Sequence, residues 1–190
     1  MKIEINEKPD RKFYDELLYV TSYYKKIKKK PNKKITTITK ELMKDLGIIL
    51  LLLLIELFFY FEYQDNIFLF MIGFIGLILI FFILYLIAVQ KRIKDFLKDN
   101  TKTIISINES GVELVKENIQ HIQVDWNSID FILINKYSIC LLPKNITNII
   151  IALDTKNKKE FLEGIKKYDK DDLIVDNTEL DDRNWNVMYF

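Results

Sequence analysis

Few residues in this 190-residue chain can support the commoner kinds of catalytic or metal site. One cysteine, Cys140, excludes an intrachain disulfide and a zinc site built from several cysteines. One histidine, His121, excludes most histidine-based designs, and five glycines with three prolines argue against fibrous and low-complexity classes. Walker, HExxH and GxSxG motifs are also absent from the sequence. We therefore predict a protein that is not an enzyme and has neither a cofactor nor a metal ion.

Charge is nearly balanced overall but is unevenly distributed along the chain. The formal net charge of +1 argues against a strongly basic nucleic-acid-binding protein. Residues 1–46 carry 13 lysines and arginines against seven acidic residues, whereas residues 169–190 carry seven acidic residues against Lys170 and Arg183. The sequence is therefore basic at its start and acidic at its end.

Two long apolar segments predict a transmembrane hairpin over residues 46–89. Residues 46–63 are interrupted only by Glu56 and Glu62, and residues 67–89 contain no charge. A bilayer core needs about 20 apolar residues in a helix, and soluble helices rarely stay apolar on all sides for so long. The short link between the segments contains Asp65 and Asn66, either of which can cap the second helix.

The placement of basic residues predicts how the hairpin is oriented. Basic residues dominate before the first segment, none lies in the link, and Lys91, Arg92, Lys94 and Lys98 directly follow the second segment. The positive-inside rule then places both termini in the cytoplasm of a multi-pass protein. Because isoleucine, lysine and asparagine are abundant, we expect a bacterial source and hence the inner membrane.

Glu56 predicts a polar site within the membrane. A carboxylate near mid-bilayer costs several kcal/mol unless it is protonated, paired or hydrated. In an antiparallel hairpin its depth matches that of Gly73 and Gly76, whose small size permits close helix approach. A protonated Glu56 can bond to the backbone, to Tyr85 or to a second subunit of a homo-oligomer. A role in ion or proton movement, or in recognition of a membrane partner, stays open.

Residues 1–45 form a predicted cytoplasmic segment with a helix and a lysine-rich run. Residues 11–30 can form a helix that Pro31 ends. Its apolar face is formed by Phe13, Leu17, Val20 and Tyr24. This helix either packs on its own cytoplasmic domain or lies on the membrane surface. Anionic lipid is the predicted partner of the lysines, each contributing about 1 kcal/mol near a charged membrane, although a solvated charge run is the simpler interpretation. These are Lys25, Lys26, Lys28, Lys29, Lys30, Lys33 and Lys34.

The region after the hairpin predicts a small β domain. A juxtamembrane helix over residues 90–102 is followed by short strands over residues 103–153, with apolar and polar residues alternating around Ile122, Val124 and Trp126. Gly111 follows a turn where a positive φ would favour glycine. A closing helix over residues 156–168, capped by Asp154 or Thr155, completes a domain over residues 103–168. The predicted fold class is an α+β membrane protein: a two-helix transmembrane hairpin plus a cytoplasmic antiparallel β domain, pleckstrin-homology-like and closed by a C-terminal helix.

The chain resembles the YcxB-like membrane proteins of bacteria over about residues 1–168. The cues are the two spans, Gly111, the Trp126-x-x-Ile129 step, Tyr137 and Pro143-Lys144, in this order. The resemblance implies a cytoplasmic domain similar to bacterial pleckstrin-homology domains, and it implies no catalytic residues. This chain departs from the pattern after Pro143, where residues 145–147 replace the usual basic and aromatic residues, and in its additional tail.

Residues 169–190 form a predicted acidic tail with an aromatic end. Its composition suits a disordered, solvating segment, but Trp185, Tyr189 and Phe190 also make it a candidate for docking. Trp126 is predicted to anchor the core of the β domain, and a docking position at the rim of a ligand groove is the alternative. Because acidic residues complement a basic surface, we hypothesise that the tail folds back on the lysine run and competes with lipid.

These features predict a non-enzymatic scaffold or sensor that presents a pleckstrin-homology-like domain at the inner membrane for binding of protein or lipid. The alternative is an immunity or self-protection protein against a membrane-acting toxin or bacteriocin, in which Glu56 would take part in recognition. A transporter accessory subunit or an oligomeric channel is a third class.

Overall fold

The computed structural model describes residues 1–5, 9–32, 35–98, 103–116, 120–144 and 151–178. The chain forms two compact units, one of residues 1–35 with 99–190 and one of residues 36–98. The first unit contains two four-stranded sheets, and the second contains two helices. The predicted N-terminal segment of residues 1–45 is therefore divided, because its first 35 residues belong to the same unit as the β domain.

The first sheet is antiparallel throughout and has the strand order β1-β2-β3-β4. Its strands are β1 (Lys2–Ile5), β2 (Thr103–Ile107), β3 (Gly111–Lys116) and β4 (Gln120–Asp125). Ile3 pairs with Ile105 and Ile105 pairs with Leu114, which places three apolar side chains on the inner face. The alternation that the sequence shows is therefore that of a sheet with one buried face.

Gly111 begins β3 for a reason that differs from the prediction. Its φ is not positive, so no left-handed conformation requires glycine there. Instead, a Cβ atom at this position would lie 2.1 Å from the backbone oxygen of Val124 on the neighbouring strand. The side chain of Asn108 holds the preceding turn, since its Oδ1 accepts hydrogen bonds from the N–H groups of Ser110 and Gly111, each at 3.0 Å. Close strand approach therefore explains the glycine.

The second sheet has the order β7-β6-β5-β8. Its strands are β5 (Ile129–Ile134), β6 (Ser138–Pro143), β7 (Ile151–Asp154) and β8 (Ile174–Asp176). The first three are antiparallel neighbours, as predicted, whereas β8 pairs in parallel with β5. β8 belongs to the predicted acidic tail, so the start of the tail is part of the folded domain.

One apolar core joins the two sheets and the helix α5 (Lys158–Lys166). Phe161 and Ile165 of α5 are fully buried, and the side chain of Asp154 caps the short 3-10 turn that leads into this helix. Trp126 is 5% exposed, and its indole N–H donates to the backbone oxygen of Asn108 at 2.9 Å. Each end of α5 lies two residues inside the predicted bounds of the closing helix, residues 156–168.

The N-terminal helices are α1 (Arg11–Ser22) and α2 (Tyr24–Lys29), where a single helix over residues 11–30 was predicted. The break falls at Tyr23, whose φ of −108° and ψ of 20° are not helical. Asp10 caps α1 by accepting a hydrogen bond from the N–H of Phe13 at 2.9 Å. Phe13 and Val20 are buried, in keeping with a helix packed on its own domain.

The second unit consists of α3 (Ile38–Tyr63) and α4 (Asn66–Lys98). Asp65 caps α4, because its Oδ1 accepts a hydrogen bond from the N–H of Ile67 at 3.0 Å. The rings of Phe59 and Phe68 stack at 5.8 Å near this turn, and Gln90 donates to Thr39 Oγ1 at 3.2 Å near the other end. The two helices therefore run side by side, and the predicted juxtamembrane helix continues α4 as far as Lys98.

Among the described helices, α4 is long and apolar enough to cross a membrane. Its apolar side chains are largely uncovered, with Phe70 74% and Phe81 64% exposed. The protein is thus an α+β chain with one long apolar helix and mostly antiparallel sheets. The predicted first span lies within α3.

The predicted contact of Gly73 and Gly76 with the neighbouring helix is not found. A Cβ atom at either glycine would meet no described atom within 4 Å, and Phe74 between them is 54% exposed. The two glycines therefore do not provide the close helix approach that we expected opposite Glu56. Aromatic rings near the turn make contacts between the helices instead. Glu56 itself is half-buried.

Candidate functional site

The second sheet is covered on both faces, and α1 and α2 supply the outer cover. All six residues of β6 are buried. Ile139 and Leu141 belong to the core between the sheets, so Ser138, Cys140 and Leu142, which alternate with them, face the other side. Ser138 bonds there to Glu16 of α1. The N-terminal helices therefore complete the domain, as a third layer.

Glu16 links α1 to the turn between β5 and β6. Its Oε2 accepts hydrogen bonds from the Ser138 hydroxyl at 2.6 Å and from the N–H of Tyr137 at 3.0 Å. The residue is 2% exposed. Burial raises the pKa of Glu16 from its ordinary value of 4.5 to about 6, although the hydrogen bonds from Ser138 and Tyr137 act in the opposite direction. Glu16 is therefore a buried attachment point whose charge depends on pH near neutrality.

The polar groups around Glu16 form a buried network. Asn135 donates from its side chain to Ser138 Oγ at 3.2 Å, and Cys140 lies on the same strand face with its Sγ 3.6 Å from that oxygen. The Oδ1 atom of Asn135 has no hydrogen-bond partner among the described residues. Burial raises the pKa of the Cys140 thiol to about 12, so the sulfur stays protonated and unreactive. This network holds α1 to the sheet, and the Cys140 side chain within it is fully buried.

α2 is attached through one face. The Tyr24 hydroxyl donates to the backbone oxygen of Pro143. Ile27, three residues further along the chain, is also buried. Lys28 Nζ lies 3.0 Å from Asp130 Oδ2 and also donates to the backbone oxygen of Lys144 at 2.6 Å. Residues at the ends of β5 and β6 therefore fix the orientation of this short helix.

The remaining lysines of the run point away from the sheet. All four are exposed, and Lys26 lies over the ring of Tyr23 at 5.6 Å from its centroid. They are Lys25, Lys26, Lys29 and Lys30, which we call the lysine face. Lys28 differs from the prediction because it forms an ion pair with Asp130 within the domain. Lys33 and Lys34 lie outside the described residues. The structure thus brings together four of the seven predicted lipid-contacting residues on one surface.

Tyr137 is the centre of a second basic cluster, at the β5–β6 turn. Lys12 Nζ and Lys136 Nζ lie 5.2 Å and 5.6 Å from the centroid of its ring. Both lysines are exposed, while Tyr137 is half-buried. The tyrosine ring therefore holds two ammonium groups at the surface close to the N-terminus of α1.

The start of the tail reaches Pro31, which directly follows the lysine face. Asn177 donates from its backbone to the Ile134 oxygen at 2.8 Å and from its side chain to the Pro31 oxygen at 3.0 Å. Lys158 of α5 pairs with Asp176 at 2.9 Å. Burial alone would raise the pKa of Asp176, but hydrogen bonds from Thr178 and Lys158 outweigh it and hold that pKa below its usual range. The tail is therefore fastened as far as Thr178.

The candidate docking residues have different outcomes. Trp126 does not line a surface, since its ring is buried in the core and its N–H is satisfied by Asn108. Trp185, Tyr189 and Phe190 lie outside the described residues. His121 is exposed on β4 and lies 2.6 Å from Glu113 Oε1, as a surface pair. Among the described residues, no group of three His, Cys, Asp or Glu side chains could hold a metal ion.

Sequence reasoning missed Glu16, Tyr24 and Asn177 as organising residues. The available signal was the pair of continuous apolar runs at residues 131–134 and 139–142, which is typical of strands buried on both faces. Such a sheet needs a second cover, and the amphipathic N-terminal helix was the free candidate.

Comparison with protein-family models, curated proteins and solved structures finds no match for this chain.

Proposed function

We propose that this chain is a non-enzymatic membrane protein that presents the lysine face and its β domain at the cytoplasmic side of a bacterial inner membrane. The single observation that carries the proposal is that α4, whose exposed apolar surface suits lipid, occurs in one chain with the lysine face, whose four exposed lysines suit anionic headgroups. Its domain resembles those of YcxB-like proteins in the order of its sequence cues. Its ligand is anionic lipid, with a protein partner as a further candidate.

A two-span arrangement is supported by the composition and contacts of α3. This helix also exposes large apolar side chains, including Leu54 at 63% and Phe61 at 73%. It runs beside α4 and is joined to it by Gln64 and Asp65. At 1.5 Å per residue, the 18-residue segment 46–63 of α3, in which only Glu56 and Glu62 are charged, extends for about 27 Å, near the thickness of a bilayer core. The absence of basic residues from the turn supports cytoplasmic termini.

Electrostatics supports contact between the lysine face and anionic lipid. Each lysine near a negatively charged bilayer contributes about 1 kcal/mol, so four lysines supply up to about 4 kcal/mol. The lysine face is close in sequence to the proposed first span, because 15 residues separate Lys30 from Leu46. Salt screens the attraction between the lysines and the anionic headgroups, with a screening length of about 10 Å at 0.1 M ionic strength.

Fluorescence quenching in lipid nanodiscs tests the proposal. A dye on Asn32→Cys reports from an exposed position two residues after Lys30, while native Cys140 is buried and escapes labelling. Lipids with a headgroup quencher are offered in either anionic or zwitterionic form. We expect quenching by anionic lipid to exceed quenching by zwitterionic lipid, and to fall when salt is added.

A matched pair of variants separates a local effect from net charge. The lysine face is neutralised to glutamine in one variant, and four exposed lysines elsewhere are neutralised in the other. The control positions are Lys2, Lys159, Lys166 and Lys167. Loss of the lipid preference in the first variant alone supports the proposal, whereas equal quenching by both lipids in the unsubstituted protein refutes lipid binding. Toxin sensitivity of a deletion strain with no such lipid preference would favour the self-protection alternative.

A further inference from the structure

The described chain stops beside the lysine face. Asn177 is 7% exposed, and it is tied both to the end of β5, through the Ile134 oxygen, and to Pro31, through its side chain. Pro31 directly follows Lys30. Thr178 donates from its N–H and its hydroxyl to Asp176 Oδ1, at 2.9 Å and 2.6 Å, which fixes the local path of the chain. The tail therefore departs from a defined point next to the basic surface.

Acidic residues follow this point at once. Glu179, Asp181 and Asp182 place three carboxylates within four residues. An extended chain covers about 3.3 Å per residue, so Asp182 reaches up to about 16 Å from Asn177. Lys25 is six residues before Pro31, or about 9 Å along a helix. All four lysines of the lysine face lie within reach of these carboxylates.

The lysine face favours an acidic occupant. Lys25 and Lys29 are separated by four residues within α2, and like charges at this spacing repel on a helix; Lys26 and Lys30 add two more positive charges within the same six residues. No ion pair joins these four lysines to a carboxylate of the described residues, in contrast to Lys28, which pairs with Asp130. Three carboxylates held nearby would relieve the repulsion at a high local concentration, because the linker is short.

We propose that residues 179–182 occupy the lysine face of the same chain and compete there with anionic lipid headgroups. The competition rests on the lipid binding of the proposed function, while the intramolecular contact does not. Each exposed ion pair changes an equilibrium constant about two- to threefold. Neutralising the three carboxylates should therefore lower the amount of anionic lipid needed for half-maximal quenching about tenfold, the equivalent of about 1.4 kcal/mol.

Cysteine crosslinking of the full chain in detergent tests the contact without lipid. Lys29→Cys is combined with Asp181→Cys, and the matched control combines Lys2→Cys, on the other sheet, with Asp181→Cys. We expect an intramolecular disulfide in the first pair, at a rate above the control and reduced by salt. Mass spectrometry of the unreduced protein separates this product from a crosslinked dimer. A rate equal to the control, or a dimer as the main product, would overturn the proposal.

The nanodisc assay then tests the competition. A variant with Glu179→Gln, Asp181→Asn and Asp182→Asn is compared with the unsubstituted tail, both carrying the dye at position 32. A lower lipid requirement in the neutralised tail supports the proposal, and an unchanged requirement contradicts it. If no variant prefers anionic lipid but the intramolecular disulfide forms, the proposed lipid binding fails while the intramolecular contact stands.

Discussion

Replacing Glu16 with glutamine removes a buried charge from the contact between α1 and the β5–β6 turn while keeping the shape of the side chain. The carboxyl has an ordinary pKa of 4.5 and a pKa of about 6 in the folded chain, where burial outweighs the hydrogen bonds from Ser138 and Tyr137. At about 1.36 kcal/mol for each pKa unit, the folded state prefers the protonated form by about 2 kcal/mol relative to the unfolded state.

The sign of the pH dependence follows from this preference. Because the folded chain binds the proton more tightly, Glu16 contributes stability that is fully present below pH 4.5. That contribution is lost as the pH rises through about 6. We therefore expect the free energy of unfolding of the unsubstituted protein, relative to Glu16→Gln, to fall by about 2 kcal/mol between pH 4.5 and neutral pH.

Trp126 fluorescence can follow unfolding of the β domain alone. The chain has two tryptophans, and in a Trp185→Phe background the remaining one lies in the domain core. Urea titrations in a mild detergent at a series of pH values give the free energies, and substitution of exposed Glu163 by glutamine provides the reference for removing a surface carboxyl. A difference between the unsubstituted and Glu16→Gln proteins that stays constant with pH, or that rises towards neutral pH, would refute the role assigned to burial.

Three further predictions use the same domain. Gly111→Ala should destabilise it by about 2 kcal/mol or more in urea titration, because the new Cβ would approach the Val124 oxygen to 2.1 Å; an unchanged midpoint would contradict this. Tyr24→Phe should cost about 1–3 kcal/mol in the same titration, since the Pro143 oxygen loses its donor. Cys140 should react with a thiol reagent only after urea unfolding, because it is buried and its pKa is about 12; rapid labelling of folded protein would disprove it.

Local patterns predicted the elements that depend on neighbouring residues. Alternation around Ile122 and Val124 indicated β4, and the short link offered Asp65 or Asn66 as the cap of α4, of which the structure shows Asp65. The closing helix was also predicted, because its apolar residues recur at helical spacing and Asp154 precedes it. Each of these features is set by side chains within a few residues of one another.

Contacts between distant segments were not predictable in the same way. The parallel pairing of β8 with β5 joins residues about 40 positions apart, and an acidic composition gave no sign of a strand. The glycine at position 111 was predicted for its φ, whereas the neighbouring strand is what requires it. Lys28 could not be separated from the other lysines, because only the fold brings Asp130 to it.

The central claim is that both α3 and α4 cross the membrane and leave the β domain in the cytoplasm, and cysteine accessibility in intact cells tests it most directly. The account predicts that Asp65→Cys, in the exposed turn between the helices, reacts with a membrane-impermeant maleimide from outside. Asn32→Cys and Glu163→Cys, both exposed in the first unit, should react only after the cells are permeabilised. Labelling of position 32 or 163 in intact cells, or protection of position 65, would contradict the account.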